Sequence, residues 1–461
     1  MAEADAKGRT LGLVEVRISV VIPAYNAGPR LKSCLDALRR SREDVFEIIV
    51  VDDGSNDNTG RFAADFGVSV LASDRHGPAF ARNLGAKAAT GNVLLFLDAD
   101  VCVHSYTLRK IIESFESDPA LDALIGSYDN DPQSPDFLSQ YRNLMHAYVH
   151  QTGRERASTF WSGCGAIRRG LFLEHNGFDE AFTRPAIEDI ELGYRLIRAG
   201  RKIILDRSLQ VKHLKRWTFW RLVKTDILDR GIPWTELILR DRCMPTDLNL
   251  QLSQRVSVAL VFLLVTLAGV AGVYWGGYFL IPLFAITFGL LTRWWVEFAA
   301  PDRPRIAAVL FVLVVGLIVA LAYFYRMFGI IPPLLVCPLL LLAKHRYADG
   351  GPRRKLLLPF TLVYTGGSVF LAACYLPAHR LVFLCFLIVA ILGVINSQFF
   401  LFLAGTRGVP FMLAALPFHL FYHFYNGISF TIGLLCHVCG IAVRTPQYPS
   451  EPSSPSVRHL S

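Results

Sequence analysis

Val93-Leu94-Leu95-Phe96-Leu97-Asp98-Ala99-Asp100 is an apolar run that stops abruptly on two carboxylates one small residue apart. Five consecutive apolar residues read as a buried strand. Side-chain direction on an extended chain repeats every second residue, so carboxylates at i and i+2 project from one side. At a strand's carboxyl end such a pair can hold one hard divalent cation, whereas a core has no use for two unpaired charges. Asp-x-Asp also ends strands as turn or cap residues, so the flanking sequence has to decide.

Working outward, buried strands alternate with amphipathic helices from Val16 onward. Ile18–Ile22 is a β-branched run closed by Pro23-Ala24-Tyr25-Asn26, followed by a helical pattern through Leu31, Leu35 and Leu38. Phe46–Val51 is the next strand and ends in Asp52-Asp53-Gly54-Ser55, with Asp57 or Thr59 placed to cap the following helix. Val68–Leu71 predicts a third strand, Pro78–Ala88 a helix and Val93–Leu97 the strand of the opening motif. This alternation implies an α/β fold with parallel strands. Ligands of open α/β sheets lie beyond the carboxyl ends of the strands, where Asn26, Asp52, Asp53, Asp98 and Asp100 all fall. Each has a plainer role available: Asp53-Gly54-Ser55 as a turn, Arg82 as a partner of surface acids, Asn83 as a backbone anchor.

Ser19–Asn26, Val50–Thr59, Ala81-Arg82-Asn83 and Leu97–Asp100, in that order and spacing, resemble family 2 glycosyltransferases over about residues 17–245. The resemblance implies a GT-A (nucleotide-diphospho-sugar transferase, Rossmann-like) domain that uses a nucleotide-sugar donor and inverts the anomeric centre. It implies that Pro23, Tyr25 and one of Asp52/Asp53 frame the nucleobase and ribose, and that Arg82 lies near the donor's charged groups. Asp98 and Asp100 would hold Mn²⁺ or Mg²⁺ against the diphosphate, where a metal neutralises the departing charge without a proton donor. Farther along, Ile187-Glu188-Asp189-Ile190-Glu191 resembles the family's Glu-Asp motif, which makes Asp189 the general base for the acceptor hydroxyl and sets Glu188 beside the acceptor. The plainer reading is two acids favoured at a helix N-terminus.

Phe160-Trp161-Ser162-Gly163-Cys164-Gly165 resembles the acceptor-cleft segment, with Trp161 and Gly163 as acceptor contacts and glycines that let a sugar approach the backbone. His213-Leu214-Lys215-Arg216-Trp217 stands where processive synthases carry Gln-x-x-Arg-Trp. Arg216 and Trp217 are kept as acceptor contacts, with Trp217 stacking on a sugar, but His213 replaces Gln, which weakens a polymerase reading. In other members a His at the end of the domain approaches the metal or diphosphate, so His213 is a candidate ligand. The continuation Val101-Cys102-Val103-His104 departs from the pattern of polyprenyl-phosphate monosaccharide synthases.

The chain's 461 residues are 52% hydrophobic and 18% charged, too apolar for an ordinary soluble chain of this size. Residues 1–250 balance 33 Lys+Arg against 34 Asp+Glu, while residues 251–461 carry 14 against 4. Sparse basic residues in an apolar region read as cytoplasmic loop anchors, not nucleic-acid contacts. The apolar blocks are Ser257–Trp275, Tyr278–Leu291, Ile306–Leu342, Leu356–Leu376, Leu381–Ala404 and Phe411–Val443. Pro332-Pro333 and Gly427 mark breaks in the two longest. If both fold back, the basic clusters at Arg293/Arg303/Arg305, Lys344–Lys355, Arg407 and Arg444 share one side, giving about eight spans, with six as the alternative. Gly289–Arg305 and Gly393–Val409 hint at a duplication. Cys436-His437-Val438-Cys439 looks like half a zinc site without a second half, and reads as buried membrane-helix residues.

The sequence therefore divides into a polar segment (1–16), a catalytic domain (17–250), an all-α transmembrane region of about six to eight spans (251–445) and a disordered tail (446–461). With no signal-type core in Met1–Arg17, the catalytic domain is expected in the cytoplasm. The expected activity is transfer from a nucleotide sugar, most plausibly a UDP-sugar, to a lipid-linked or membrane-proximal glycan acceptor, with membrane lipids as further partners. Rival readings are a processive polysaccharide synthase, a polyprenyl-phosphate glycosyltransferase, and a transport or binding protein that has lost catalysis.

Overall fold

The computed structural model describes residues 15–41, 45–274, 380–441 and 458–459. They fall into two compact units, one formed by the first 251 residues with 428–461, the other by Leu252–Gly427. The first unit is an α/β domain. Strands β1 (Ile18–Ala24), β2 (Glu47–Asp53), β3 (Ser69–Ser73) and β4 (Val93–Leu97) pair in parallel, with helices α1 (Gly28–Arg39), α2 (Thr59–Asp65) and α3 (Pro78–Ala88) as crossovers. These bounds lie within two residues of those expected from the sequence.

Every side chain of β4 is fully buried, because helices cover both faces of a parallel sheet. Alternate residues feed two cores. Val20, Ile22, Leu95 and Leu97 pack on Leu31 and Leu35 of α1 on one face, and Val21, Leu94 and Phe96 belong to the other. Phe96 meets Phe172 and Phe178 at 5.0 Å each, and burying each such ring contributes roughly 1.5–3 kcal/mol.

Past β4 the pattern changes. The chain continues through β5 (Val101–Val103), α4 (Thr107–Ser117), β6 (Ala123–Tyr128), α5 (Phe137–Thr152), β7 (Cys164–Arg168), α6 (Arg169–Glu174), α7 (Glu188–Arg198) and β8 (Ile203–His213). The strand order is β5-β8-β6-β7-β4-β1-β2-β3, and β7 runs antiparallel to both β4 and β6. Two registers place the site. Leu97 pairs with Cys164, so β4 ends beside Trp161-Ser162-Gly163. Val101 pairs with His213, which sets His213 next to Asp100. After α8 (Phe219–Lys224), a seven-residue π-helical stretch (Thr225–Gly231) leads into α9 (Ile232–Asp241).

The second unit contains α10 (Leu252–Tyr274), α11 (Arg380–Ile395), α12 (Ser397–Arg407) and most of α13 (Val409–Val438). Among the described residues, Leu252–Gly269 is long and apolar enough to cross a membrane; α11 and α12, bent by 65° at Asn396, pass the same test as a pair. Asn396 donates to Ser257 Oγ at 2.9 Å, while Val261, Ile388 and Leu392 form an apolar seam. α13 runs unbroken through Pro417 and Gly427, so the fold-back expected at Gly427 is absent; a single Gly in a helix costs only about 1 kcal/mol and does not by itself end it.

The blocks Tyr278–Leu291, Ile306–Leu342 and Leu356–Leu376, the clusters at Arg293–Arg305 and Lys344–Lys355, and the first copy of the suggested repeat lie outside the described residues. Cys436 lies partly exposed in the last turn of α13 and Cys439 just beyond its end, and the intervening His437 pairs with Glu236 at 3.1 Å. In the tail, Arg458–His459 pairs antiparallel with β3 as β9.

Candidate active site

The site is built where β1, β2, β4 and β8 end and β7 and α7 begin. At its base lies Arg82, a buried residue of α3. Its guanidinium donates to Asp98 Oδ1 at 2.7 Å through one terminal nitrogen and to Glu188 Oε1 at 2.8 Å through the other. One side chain thus joins the strand-end Asp-x-Asp to the Glu-Asp pair at the start of α7. Glu188 is also buried, and its second oxygen accepts from Ala186 N–H at 2.9 Å. Both of its oxygens are therefore taken by the protein, which makes it a strut, not the acceptor contact the sequence suggested.

Asp189 remains partly exposed. Its Oδ2 accepts from Ser162 N–H at 3.1 Å and Ser162 Oγ at 3.2 Å, and its Oδ1 from Ile190 N–H at 2.8 Å. Burial and the neighbouring Glu188 carboxylate push the Asp189 carboxyl up to about 6, against the opposing pull of Arg82 and the Ser162 N–H. A carboxylate tuned close to the working pH is what a general base needs. Its place in the first turn of α7 also satisfies the helix dipole, so the plainer reading holds as well and does not compete.

Asp100 faces a different environment. His213 Nε2 lies 3.7 Å from its Oδ1 and Arg30 3.8 Å from its Oδ2. Burial raises its pKa, but His213, Lys215 and Arg30 together hold the carboxyl far below the usual range. Among the described residues, no group of three or more His, Cys, Asp or Glu side chains is assembled around one point. The donor set nevertheless suits a hard cation of the Mn²⁺ or Mg²⁺ kind, since such ions often take one or two carboxylates and complete their shell with substrate phosphates and water. Asp98 is turned toward Arg82, leaving Asp100 and His213 as the pair best placed to contribute.

The residues expected to face a donor divide by how much bonding capacity they retain. Asp53 is saturated: it accepts from Ser73 Oγ at 2.7 Å and from His76 and Gly77 N–H at 2.8 Å each, tying the loop after β3 to β2. Asp52 accepts from Ser55 N–H and stays partly exposed, so of the two acids it is the one left for a ligand. Thr59 Oγ1 accepts from Ala27 and Gly28 N–H and so caps the start of α1, while Asp57, the other expected cap of α2, accepts from Thr59 N–H at 2.9 Å. Asn83 exchanges bonds with both N–H and C=O of Phe178. Tyr25 is exposed with the Arg75 guanidinium 4.5 Å above its ring, and Pro23 is half-buried at the end of β1.

Of the residues expected to contact an acceptor, Trp161 is partly exposed and packs edge-on against Tyr128 and His150, at 4.8 and 4.7 Å. A Cβ on Gly163 would sit 2.7 Å from that indole, so the missing side chain makes room for Trp161 and not for a sugar. Trp217 departs further from expectation. It is 2% exposed, with its indole N–H on Asn143 Oδ1 at 3.3 Å and Lys215 Nζ 4.4 Å over its ring, so neither face is open for stacking. Arg216 lies outside the site, 68% exposed and 3.7 Å from Asp136. Sequence reading passed over Ser162, Asn143 and Tyr128; the only hint was a run of polar residues on α5 (Ser139, Gln140, Arg142, Asn143), all of them buried.

Residues 19–175 match the family described as glycosyl transferase family 2. The match spans β1 through α6 and so covers Asp52, Asp98, Asp100 and Trp161, but stops short of Asp189 and His213. The chain is 27% identical over 241 residues to the O-antigen chain rhamnosyltransferase RfbN of Salmonella typhimurium, covering 48% of this chain and 75% of the relative. It is 35% identical over 104 residues to the uncharacterized glycosyltransferase EpsJ of Bacillus subtilis, covering 22% and 30%. The chain spans less than two thirds of EpsJ and of the pneumococcal relatives GlyG and GlyA, at 40% and 32%. Among solved structures, a mannosyltransferase from Pyrobaculum calidifontis, in complex with GDP-Man and Mn²⁺, superposes with a TM-score of 0.40 at 20% identity, over 68% of this chain and 83% of that one.

Proposed function

We propose that the chain is a metal-dependent, inverting glycosyltransferase that moves a sugar from a nucleotide donor, most plausibly a UDP-sugar, to a lipid-linked or membrane-proximal acceptor in glycan biosynthesis. The observation that carries the reading is the Arg82 bridge, which brings Asp98 and Glu188 to one guanidinium and so sets Asp189 beside the strand-end acids. Donor-side and acceptor-side chemistry then share one site.

In this mechanism Asp52 and Tyr25 orient the nucleoside, and Asp98 is held toward the donor by Arg82. Asp100 and His213 would hold a divalent cation, which when bound supplies positive charge against the negative charge gathering on the departing diphosphate. Asp189 takes the proton of the attacking hydroxyl, and the Ser162 N–H and Oγ keep its carboxylate in one orientation while it does so. A single displacement needs this base and no protein nucleophile, which agrees with inversion. The second unit would anchor the enzyme as a multi-pass membrane protein with its catalytic domain in the cytoplasm, a reading supported by Leu252–Gly269 and by the sparse acids of residues 251–461.

A membrane fraction containing the chain, incubated with a panel of radiolabelled nucleotide sugars, should label lipid extracts from one donor, and a chelator should abolish the labelling. No transfer from any donor, or full activity in chelator, would remove respectively the activity and the metal from this proposal. Burial of Trp217 supports addition of one or a few sugars over polymerisation, and a high-molecular-weight polymer among the products would reverse that.

A further inference from the structure

The His213 ring can carry its hydrogen on either nitrogen, and only one arrangement leaves a lone pair directed at Asp100. We propose that Asn143, on α5, fixes that arrangement and is a positioning residue for the cation site. The inference rests on the proposal above that Asp100 and His213 hold a divalent cation.

The orientation of the Asn143 amide follows from two neighbours. Its Nδ2 donates to the Lys215 carbonyl at 3.1 Å, and its Oδ1 receives the Trp217 indole N–H at 3.3 Å. A carbonyl can only accept and an indole N–H can only donate, so both contacts demand the same amide orientation. The oxygen that remains facing His213 Nδ1, at 2.8 Å, is therefore an acceptor. In the neutral ring Nδ1 must carry the hydrogen, and Nε2 presents its lone pair to Asp100 Oδ1 across 3.7 Å. With Nδ1–H held on Asn143, Nε2 meets the Asp100 carboxylate either through a second proton, as the imidazolium that helps hold the Asp100 carboxyl low, or through a cation that takes that proton's place between the lone pair and the carboxylate.

The surroundings remove the ring's remaining freedom. Tyr128 stacks on it at 4.2 Å and 7°, and Asn143 is almost wholly buried. One turn earlier on the same face of α5, Ser139 Oγ accepts from Trp217 N–H at 2.7 Å. Two side chains of α5 thus fasten the segment from His213 to Trp217. This also gives Trp217 an occupation: its indole holds the amide that holds the histidine. Hydrogen bonds behind a metal-binding histidine fix its tautomer and direction, and their loss typically weakens metal binding about 10–100-fold.

The test titrates Mn²⁺ alone into the purified full chain in detergent micelles and follows it by electron paramagnetic resonance. The free-ion signal gives affinity, and pulsed measurement of nitrogen-14 coupling reports an imidazole on the ion. The wild type should show the nitrogen coupling. Asn143→Leu should lose it and bind about 10–100-fold more weakly. Asn143→Asp keeps an acceptor oxygen toward Nδ1 and should retain both coupling and affinity to within about threefold, a rescue that a purely structural role would not produce. If Asn143→Leu does not fold by near-ultraviolet circular dichroism, Asn143→Ser, too short to reach Nδ1, replaces it. Undiminished coupling in Asn143→Leu or Asn143→Ser overturns the role of Asn143. Absence of coupling in the wild type overturns His213 as a ligand, which is the separate failure of the underlying reading.

Discussion

Two sets of polar residues in the α/β domain, Asp53, Thr59 and Asn83 between β1 and β4 and Asp189 and His213 between α5 and β8, are used in opposite ways. In the first set Asp53 and Thr59 fill their bonding capacity with backbone N–H groups of nearby loops, and Asn83 does the same with Phe178. In the second set Asp189 keeps some exposure and a raised pKa, and His213 keeps one nitrogen directed at a carboxylate. The difference teaches that an acid or amide within a recognisable motif can be scaffold, while chemistry belongs to groups whose partners are incomplete. Arg82 is where the two regions meet.

Breaking that meeting point should have the largest effect. Arg82→Ala leaves Glu188 buried without its cation and should cost about 3–5 kcal/mol of stability, with transfer lost as well. Denaturant unfolding of the solubilised protein measures it, and a loss under about 1 kcal/mol would mean that the regions are not joined there. Next comes the contrast between the adjacent acids of β2. Asp53→Asn sets an amide N–H₂ against donors that Asp53 now accepts, and should cost about 1–3 kcal/mol. Asp52→Asn should leave stability nearly unchanged and weaken donor binding. Equal destabilisation by both would erase the distinction.

A third prediction concerns pH. As the proposed base Asp189 works only when ionised, and burial and Glu188 push its carboxyl up to about 6. Transfer at saturating substrate should therefore rise with pH through about 6 and fall tenfold per pH unit below it. Ser162→Ala removes a donor to the ionised carboxylate, so the midpoint should move up by roughly half to one pH unit. A downward or absent movement would deny that Ser162 tunes the base. The smallest effect is reserved for Trp217→Phe: loss of one indole hydrogen bond, about 1 kcal/mol, with the acceptor KM unchanged. A large rise in acceptor KM would restore Trp217 as a sugar platform.

How much of this was legible in the sequence depends on whether neighbours in space are neighbours in the chain. The parallel strands and α1 to α3 could be read because apolar periodicity and turn residues are local signals. Asp98, Asp100 and Asp189 could be put forward as candidates because strand ends and an acidic helix start are local signals too. The antiparallel insertion of β7 was not legible, since nothing in Cys164–Arg168 announces its partners. Trp217 was misplaced for the same reason: its sequence context says aromatic beside basic, and only the packing of α5 against it shows that the indole is enclosed. Asn143 carries no motif at all, and its meaning arises solely from Lys215, Trp217 and His213, all about 70 residues away along the chain.

The most direct test of a shared donor and acceptor site compares Asp100→Asn with Asp189→Asn, using the nucleotide sugar identified from the panel. Donor affinity by calorimetry and transfer in a single turnover are measured on both variants. The account predicts that Asp189→Asn binds donor within about threefold of wild type and transfers about 10²–10⁴-fold more slowly, while Asp100→Asn loses donor binding itself. Normal transfer by Asp189→Asn, or normal donor binding by Asp100→Asn, would contradict it.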